Sequence, residues 1–311
     1  MTKPETRKPK ASDLAFNRSI DFEYGELRQI APDVRRLVAN NPGPFTFTGT
    51  NTYVVGKGDV AVIDPGPDDP KHLAFIVENL KGERITHIFL SHTHRDHSGL
   101  IDALQVETGA QVLGYGQTDA PRGFAATGPT SDNFVERDFK PDQILRSGDS
   151  IKGESWALDA IHTPGHAPDH LCFALVGKRI VFSGDHVMGW NTTVIAPPEG
   201  HMGDYLHSLE VLLERYDLAF LPGHGGRIKS PRRVVRAYLL HRKWREAAIY
   251  KCLEDDMNFI SEIVPKIYAG LDPDFHGAAA LSVLAHLEYL TDRGIAVCDQ
   301  PHSLEAAFSL P

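Results

Sequence analysis

The sequence predicts an α/β protein: a large layered domain followed by a small helical module at the C-terminus. Three observations lead there. Short β-branched runs alternate with segments of helical spacing from about residue 35 to residue 221. Glycine and proline clusters punctuate the alternation. After about Ser230 the character changes, and three helical segments precede one short terminal hairpin.

The elements follow in order. Arg35 to Asn40, Asn51 to Val55 and Asp59 to Ile63 read as short strands, with Gly56-Lys57-Gly58 turning between the last two. Pro65-Gly66-Pro67 closes the third. Asp68 or Asp69 then caps a helix through Asn79, with Leu73, Ile76, Val77 and Leu80 on one face. Ile85 to Leu90 is an apolar run that reads as a buried strand. A helix is expected from about Ser98 to Thr108, stopped by Gly109, and a strand from Ala110 to Leu113. Residues 116–143 are rich in Gly, Pro, Asp and Ser and read as a long surface excursion, a kind of loop that often carries function. Strands resume at Trp156 to His162, Leu171 to Val176 and Ile180 to Phe182. A helix from Asp204 to Tyr216 and a strand from Leu218 to Leu221 complete this part.

The C-terminal helices are expected at Arg232 to Leu253, Asn258 to Ala269 and Ala278 to Thr291. In the last, Ala280, Val283, Leu284, Leu287 and Leu290 share an apolar face. Ile295 to Val297 and a return near Ala306 to Ser309 give the hairpin, so the module reads as a winged helix. The expected division is a disordered arm over 1–20, a catalytic domain over 21–230 and the winged-helix module over 231–311.

Composition bounds the function. The chain has 311 residues, 41% hydrophobic and 23% charged, with a net charge of -9. So acidic a chain lacks the broad positive field of a non-specific duplex binder. No apolar run reaches the ~20 residues of a membrane helix. The basic stretch Met1 to Lys10 is followed by no apolar segment, which argues against a secretory signal. Cys172, Cys252 and Cys298 are too widely spaced for a disulfide framework or a Cys-x-x-Cys site, so a reducing cytoplasm is expected.

The chemistry concentrates in Ser91-His92-Thr93-His94-Arg95-Asp96-His97-Ser98-Gly99. Three imidazoles and a carboxylate within six positions describe a first-row metal site rather than a core. The run follows an apolar strand, and strand ends are where ligands bind in α/β folds. Four more fragments have the same form, a polar residue after an apolar strand and beside Gly or Pro. They are Val62-Ile63-Asp64-Pro65-Gly66, Thr163-Pro164-Gly165-His166, Ser183-Gly184-Asp185-His186 and Pro222-Gly223-His224-Gly225. The chain has sixteen histidines, and most are ordinary packed or surface residues. His72, His87, His162, His170, His186, His201, His207, His241, His276, His286 and His302 are assigned to that class. Of these, His170 and His186 are near the site and are the two most open to reassignment.

His-x-His-x-Asp-His, then a lone His, a lone Asp and a last His, resembles the ligand order of the metallo-β-lactamase superfamily. The resemblance covers about Arg35 to Val297. It implies a four-layer αββα sandwich. It also implies that His92, His94 and His166 hold one divalent metal, that Asp96, His97 and His224 hold another, and that Asp185 bridges both. Asp96 and Asp185 are the expected catalytic carboxylates, acting with a metal-bridging hydroxide. Asp64 resembles the acidic residue that braces the ligand loop. Zinc is the expected metal; manganese and iron suit the same mixed donors.

Asn41-Pro42-Gly43, the run from Gly49 to Gly56, Gly189 to Val194, and His241-Arg242-Lys243-Trp244-Arg245-Glu246 are similar to the lactamase-beta-2-type branch, which carries a winged-helix tail and includes an endoribonuclease. Ser91 stands where the superfamily usually has Thr, and Leu100 where a second Gly is common. Both departures touch loop geometry, not ligation. The implied activity is hydrolysis of an ester, a thioester or an RNA phosphodiester. A hydroxyacylglutathione-hydrolase-like thioesterase or lactonase is one alternative, and a non-enzymatic metal-bearing interaction protein another. The expected partner is a small ester or thioester, or single-stranded RNA. For RNA, Arg232, Arg233, Arg236, Arg242, Lys243 and Arg245, with Tyr238 and Trp244, are the expected basic groove. A homo-oligomer stays open.

Overall fold

The structure, a computed structural model, describes residues 16–116, 135–272 and 275–311. Two sheets face each other. The first has seven strands in sequence order: β1 (Arg28–Ala31), β2 (Val34–Val38), β3 (Asn51–Lys57), β4 (Asp59–Ile63), β5 (Arg84–Phe89), β6 (Gln111–Gly114) and β7 (Gln143–Ile144). The second runs β12 (Ala219–Pro222), β11 (Ile180–Gly184), β10 (Leu171–Leu175), β9 (Ala157–His162) and β8 (Ser150–Lys152).

Strand alternation builds the layers. Val55, Ile63 and Phe89 point inward and meet Leu158, Phe173, Phe182 and Leu221 of the other sheet. The intervening Val54, Val62 and Ile88 point outward onto α1 (Pro70–Asn79) and α3 (Ile101–Thr108). Cys172, Val181 and Phe220 pack outward onto α4 (Met202–Glu214) and the first half of α5 (Pro231–Glu254). The result is the expected αββα sandwich.

Most expected elements form within a residue or two. Asp69 caps α1 by accepting from the Lys71 amide, as its position predicted. Three short strands, β1, β7 and β8, carried no periodic signal. The helix expected over 98–108 is instead two pieces, α2 (Arg95–Ser98) and α3. Gly66 causes the break. Its amide donates to His97 O at 3.1 Å and its carbonyl accepts from the Leu100 amide at 3.1 Å. Those bonds replace helical ones and tie the histidine loop to the end of β4.

The C-terminal module has its own core, in which Ile249, Leu253, Ile263, Val283, Leu287 and Phe308 meet. α6 (Ile260–Ile267) and α7 (His276–Asp292) follow α5. The terminal hairpin is reduced to the bridge Val297–Ser309, with Ala307 bridging to Phe259. Residues 16–20 depart from the expected disordered arm: Phe16 packs against the α4 core and the Asn17 amide donates to Gly189 O at 2.8 Å. Residues 1–15 and 117–134, most of the expected long loop, lie outside the described residues. Among the described residues no helix is long and apolar enough to cross a membrane.

The expected basic groove also needs correction. Tyr238 is fully buried and Arg242 is 3% exposed, so neither offers a platform to a nucleic acid. Arg245 turns inward to Ile267 O and the Tyr268 ring. The helix is gripping its own protein with these side chains, because α5 packs against the sandwich.

Candidate metal centre

Five strands deliver the site. β4 and β5 are parallel, as are β11 and β12, and β9 runs the same way because β10 is antiparallel to both its neighbours. Asp64, the 91–98 loop, His166, Asp185 and His224 all follow the C-terminal ends of these strands. Asn51 stitches the two sheets together at this end. Its side-chain amide donates to Pro222 O and Gly225 O at 2.9 and 2.8 Å, and its backbone amide to Gly223 O at 2.7 Å.

All seven residues singled out from the sequence converge. His92 Nε2 and His166 Nε2 lie 2.9 and 3.1 Å from His94 Nδ1. A second group forms beside the first. His97 Nε2 and His224 Nε2 are 3.3 Å apart and sit 3.4 and 3.2 Å from Asp96 Oδ2. Asp185 stands between the groups, with Oδ2 3.3 Å from His224 Nε2 and 3.9 Å from His166 Nε2, and Oδ1 3.6 Å from His97 Nε2.

The far nitrogen of each imidazole explains this geometry. His97 Nδ1 faces Asp64 Oδ2 at 3.0 Å, and His92 Nδ1 faces Ser91 Oγ at 2.9 Å. His166 Nδ1 faces Val194 O at 2.8 Å, and His224 Nδ1 faces Gly49 O at 3.2 Å. His94 is turned the other way, with Nε2 3.5 Å from Glu199 Oε2. With the ring proton on that far nitrogen, each imidazole turns the lone pair of its other nitrogen inward. Imidazoles that bind metals are oriented in this manner.

The site fits cations. Five imidazoles and two carboxylates converge, and Asp185 Oδ1 is buried without a hydrogen-bond partner among the described residues. A positive charge between the groups satisfies such an atom. The protein's own protons answer the same need. Burial opposes charge on His224, but Asp185 and Asp96 outweigh it and hold its pKa up at about 9. Burial likewise opposes charge on His97, and Asp96 and Asp185 again prevail and raise it. His166 is different: burial and the neighbouring His94 push it down to about 4, leaving it neutral. His92, lowered by burial, and His166 are thus ready ligands. His97, His224 and also His94, where burial is outweighed by Glu199 and Asp96, must give up protons to an incoming cation.

Close backbone approach is also built in. A Cβ on Gly223 would lie 2.6 Å from His97 Cε1 and closer still to Asp185 Oδ1. Gly184 adopts φ 45°, which turns the chain so that the Asp185 amide donates to His170 Nε2 at 3.1 Å.

Asp64 is confirmed as a brace by its bonds, accepting from the Ser91 amide at 2.7 Å and the Ser91 hydroxyl at 2.8 Å. Of the two histidines most open to reassignment, His170 supports Asp185, while both ring nitrogens of His186 are buried without partners among the described residues. Glu199, behind His94, was missed, and so was Asp169, which accepts from the Thr93 amide at 2.9 Å. Neither belongs to a local pattern that sequence could reveal. The far end of the long loop touches the site's rim, where the Glu136 amide donates to Thr93 O at 2.7 Å.

Known proteins share this architecture. The family model described as the Metallo-beta-lactamase superfamily matches residues 45–224, and that of the Beta-lactamase associated winged helix domain matches residues 260–300. A relative in Drosophila melanogaster, "Beta-lactamase-like protein 2 homolog", is 30% identical over 279 residues, covering 86% of this chain and 91% of that protein. A Cryptosporiopsis relative, "Atrochrysone carboxyl ACP thioesterase dmxR1", is 30% identical over 74% of this chain. The chain spans about two thirds or slightly less of several such relatives, 65% in that case. A metallo-beta-lactamase family protein from Thermus thermophilus has the same fold, with a TM-score of 0.75 at 22% identity, over 91% of this chain and 100% of that one. With donor-bearing loops at one end of an αββα sandwich and a helical tail behind them, the chain belongs to the metallo-beta-lactamase superfamily of hydrolases and carries that superfamily's winged helix domain.

Proposed function

We propose that this protein is a two-metal hydrolase of small acyl thioesters, with His92, His94 and His166 holding one cation, Asp96, His97 and His224 the other, and Asp185 both. The observation that carries this reading is the position of Asp185, within 3.9 Å of donors from each group. Zinc fits the imidazole-rich donors best, and manganese or iron would be accepted. Two such ions would supply Lewis acidity and a water acidified toward a pKa of ~7.

The chain's own residues do the rest. Asp185 lies within reach of both groups, and its negative charge would offset repulsion between two dications held there. His97 and His224 are sealed from solvent, whereas Asp96 is 29% exposed, His94 20% and His166 12%. Substrate therefore approaches across His94, Asp96 and His166. Holding the cations would occupy these residues, which leaves none of the three free to act as a general acid. A thiolate suits that limit, since a thiol with a pKa of about 8.5 leaves without being protonated first.

The thioesterase name of the Cryptosporiopsis relative supports the same substrate class. RNA is less well supported, because Arg242 and Tyr238 are buried. Three free cysteines favour a reducing, cytoplasmic setting.

Metal analysis should find about two metals per chain. A panel of acyl thioesters should be turned over in a chelator-sensitive manner, and a structured RNA should not. Efficient RNA cleavage with inert thioesters would replace the substrate assignment. Full hydrolysis by metal-free protein would end the two-metal reading.

A further inference from the structure

We propose that Arg242, on the first helix of the C-terminal module, is a positioning residue that sets the orientation of His166. The inference rests on the two-metal reading and extends it into the tail. Arg242 is 3% exposed, and its Nη2 donates to the Thr193 carbonyl. One turn earlier on α5, the Tyr238 hydroxyl bonds to the carbonyls of Met188 and Asn191. The pair at i and i+4 thus grips both ends of the segment 188–193 from behind.

That segment belongs to no helix or strand, so its carbonyl directions depend on such grips. The next carbonyl along, Val194 O, is the one that accepts from His166 Nδ1 at 2.8 Å. Thr193 also reaches the centre by its side chain, its hydroxyl bonding to Asp185 O at 2.8 Å. A buried guanidinium is costly, and here it stands over the Tyr205 ring with Nε unpartnered among the described residues. Its bond to Thr193 O fixes the peptide immediately before the one whose carbonyl aims His166.

The effect is directional. His97 is anchored by Asp64 and His224 by Gly49, and among the described residues no hydrogen bond from α5 reaches either anchor. Arg242 therefore acts on the His92–His94–His166 group more than on the Asp96–His97–His224 group. Lysine is a poor substitute, because a point charge on a flexible stem cannot both stack on a ring and hold a carbonyl in plane.

Cobalt(II) titration of the full chain, read by its visible absorption with chelator competition, tests this. The wild type should show two binding steps. Arg242→Met should weaken one step ~10–100-fold and leave the other within about twofold, the range for losing a residue behind a ligand. Arg242→Lys should fall between, and Tyr238→Phe should weaken the same step even if Arg242→Met does not fold. Lys243→Ala, on the exposed side of α5, should change neither. Wild-type affinity at both steps in the Arg242 and Tyr238 variants would overturn the proposal. So would parallel weakening of both steps with a lower melting temperature, the signature of a purely structural role. A wild type that takes up fewer than two cobalt ions would remove the two-metal reading itself, and the proposal with it.

Discussion

Asp64 Oδ2 lies 3.0 Å from His97 Nδ1, and both side chains are sealed from solvent. The same carboxylate takes the Ser91 amide and hydroxyl, so one residue at the end of β4 both shapes the histidine loop and fixes a ring within it. Asp64 sits at φ 53°, a conformation Asn tolerates well. Asp64→Asn therefore changes charge and acceptor count without new backbone strain. It turns an N–H toward donors that need an acceptor. We expect ~10–100-fold weaker metal retention, first at the His97 group. Metal content after graded dialysis measures it, and unchanged retention would mean that the brace is dispensable.

His170 makes a second case. Its Nε2 accepts from the Asp185 amide, so the ring proton is on Nδ1 and faces Thr163 Oγ1 at 2.9 Å. Burial, with His186 and His166 nearby, holds its pKa well below the usual histidine range, which keeps it neutral as the acceptor role requires. His170→Ala leaves a buried amide unpaired and opens a cavity, at a cost of about 2–4 kcal/mol. His170→Gln can return an acceptor near Nε2 and should recover much of that loss. Thermal melting of both variants would separate the acceptor from the volume, and equal losses would count against the hydrogen bond.

The donors were legible in sequence because chemistry forces residue type and spacing at a metal centre. His92 to His97 can be read without knowing where the chain goes next. The layered α/β domain was legible because short apolar runs such as β4, β10 and β11, buried on both faces, alternate along the chain with segments of helical spacing. Residues that aim the donors left no such trace. Val194 and Gly49 act through backbone carbonyls, which any residue supplies. Glu199 is 105 positions from His94 in a chain with 41 acidic residues. Arg242 looked like part of a basic surface because one helix face says nothing about what packs on it. The break between α2 and α3 was hidden for the same reason, since it depends on Gly66, remote in sequence.

Histidines away from the centre predict an acid-sensitive fold. Burial, with Arg242 and Arg245 adding repulsion, pushes His241 down to about 3 and His286 well below its usual range. Burial alone takes His72 down to about 4, against a small opposing pull from Asp69. These groups are neutral when folded but titrate near 6.5 when unfolded. Below pH 6.5 the unfolded chain binds protons that the folded chain refuses, so stability falls with pH from 6.5 toward 3 and is flat above. At pH 5 each histidine costs up to about 2 kcal/mol. His286→Gln should flatten the stability profile between pH 6.5 and 5 relative to wild type. A profile parallel to wild type would show that His286 carries none of it.

Gly223 gives the sharpest geometric test. The limit there is space, since its backbone is not in the left-handed region. A methyl would press on His97 Cε1 and on Asp185 Oδ1, two members of the donor set on facing strand ends. Neither can retreat: His97 is fixed by Asp64, and the Asp185 backbone by His170 and Thr193. Gly223→Ala should therefore spread the donors rather than unfold the chain. We expect turnover to fall at least ~100-fold, because misplacing reacting groups by an ångström can cost that much. Melting temperature should change little by comparison. The nearby Gly225 is a useful contrast, since it has φ 82° and faces Trp190 instead of the donors. Gly225→Ala should cost stability through backbone strain while leaving metal content nearer to normal. Matched losses of stability and metal in both variants would mean that the loop fails as a whole and that Gly223 has no special place beside Asp185.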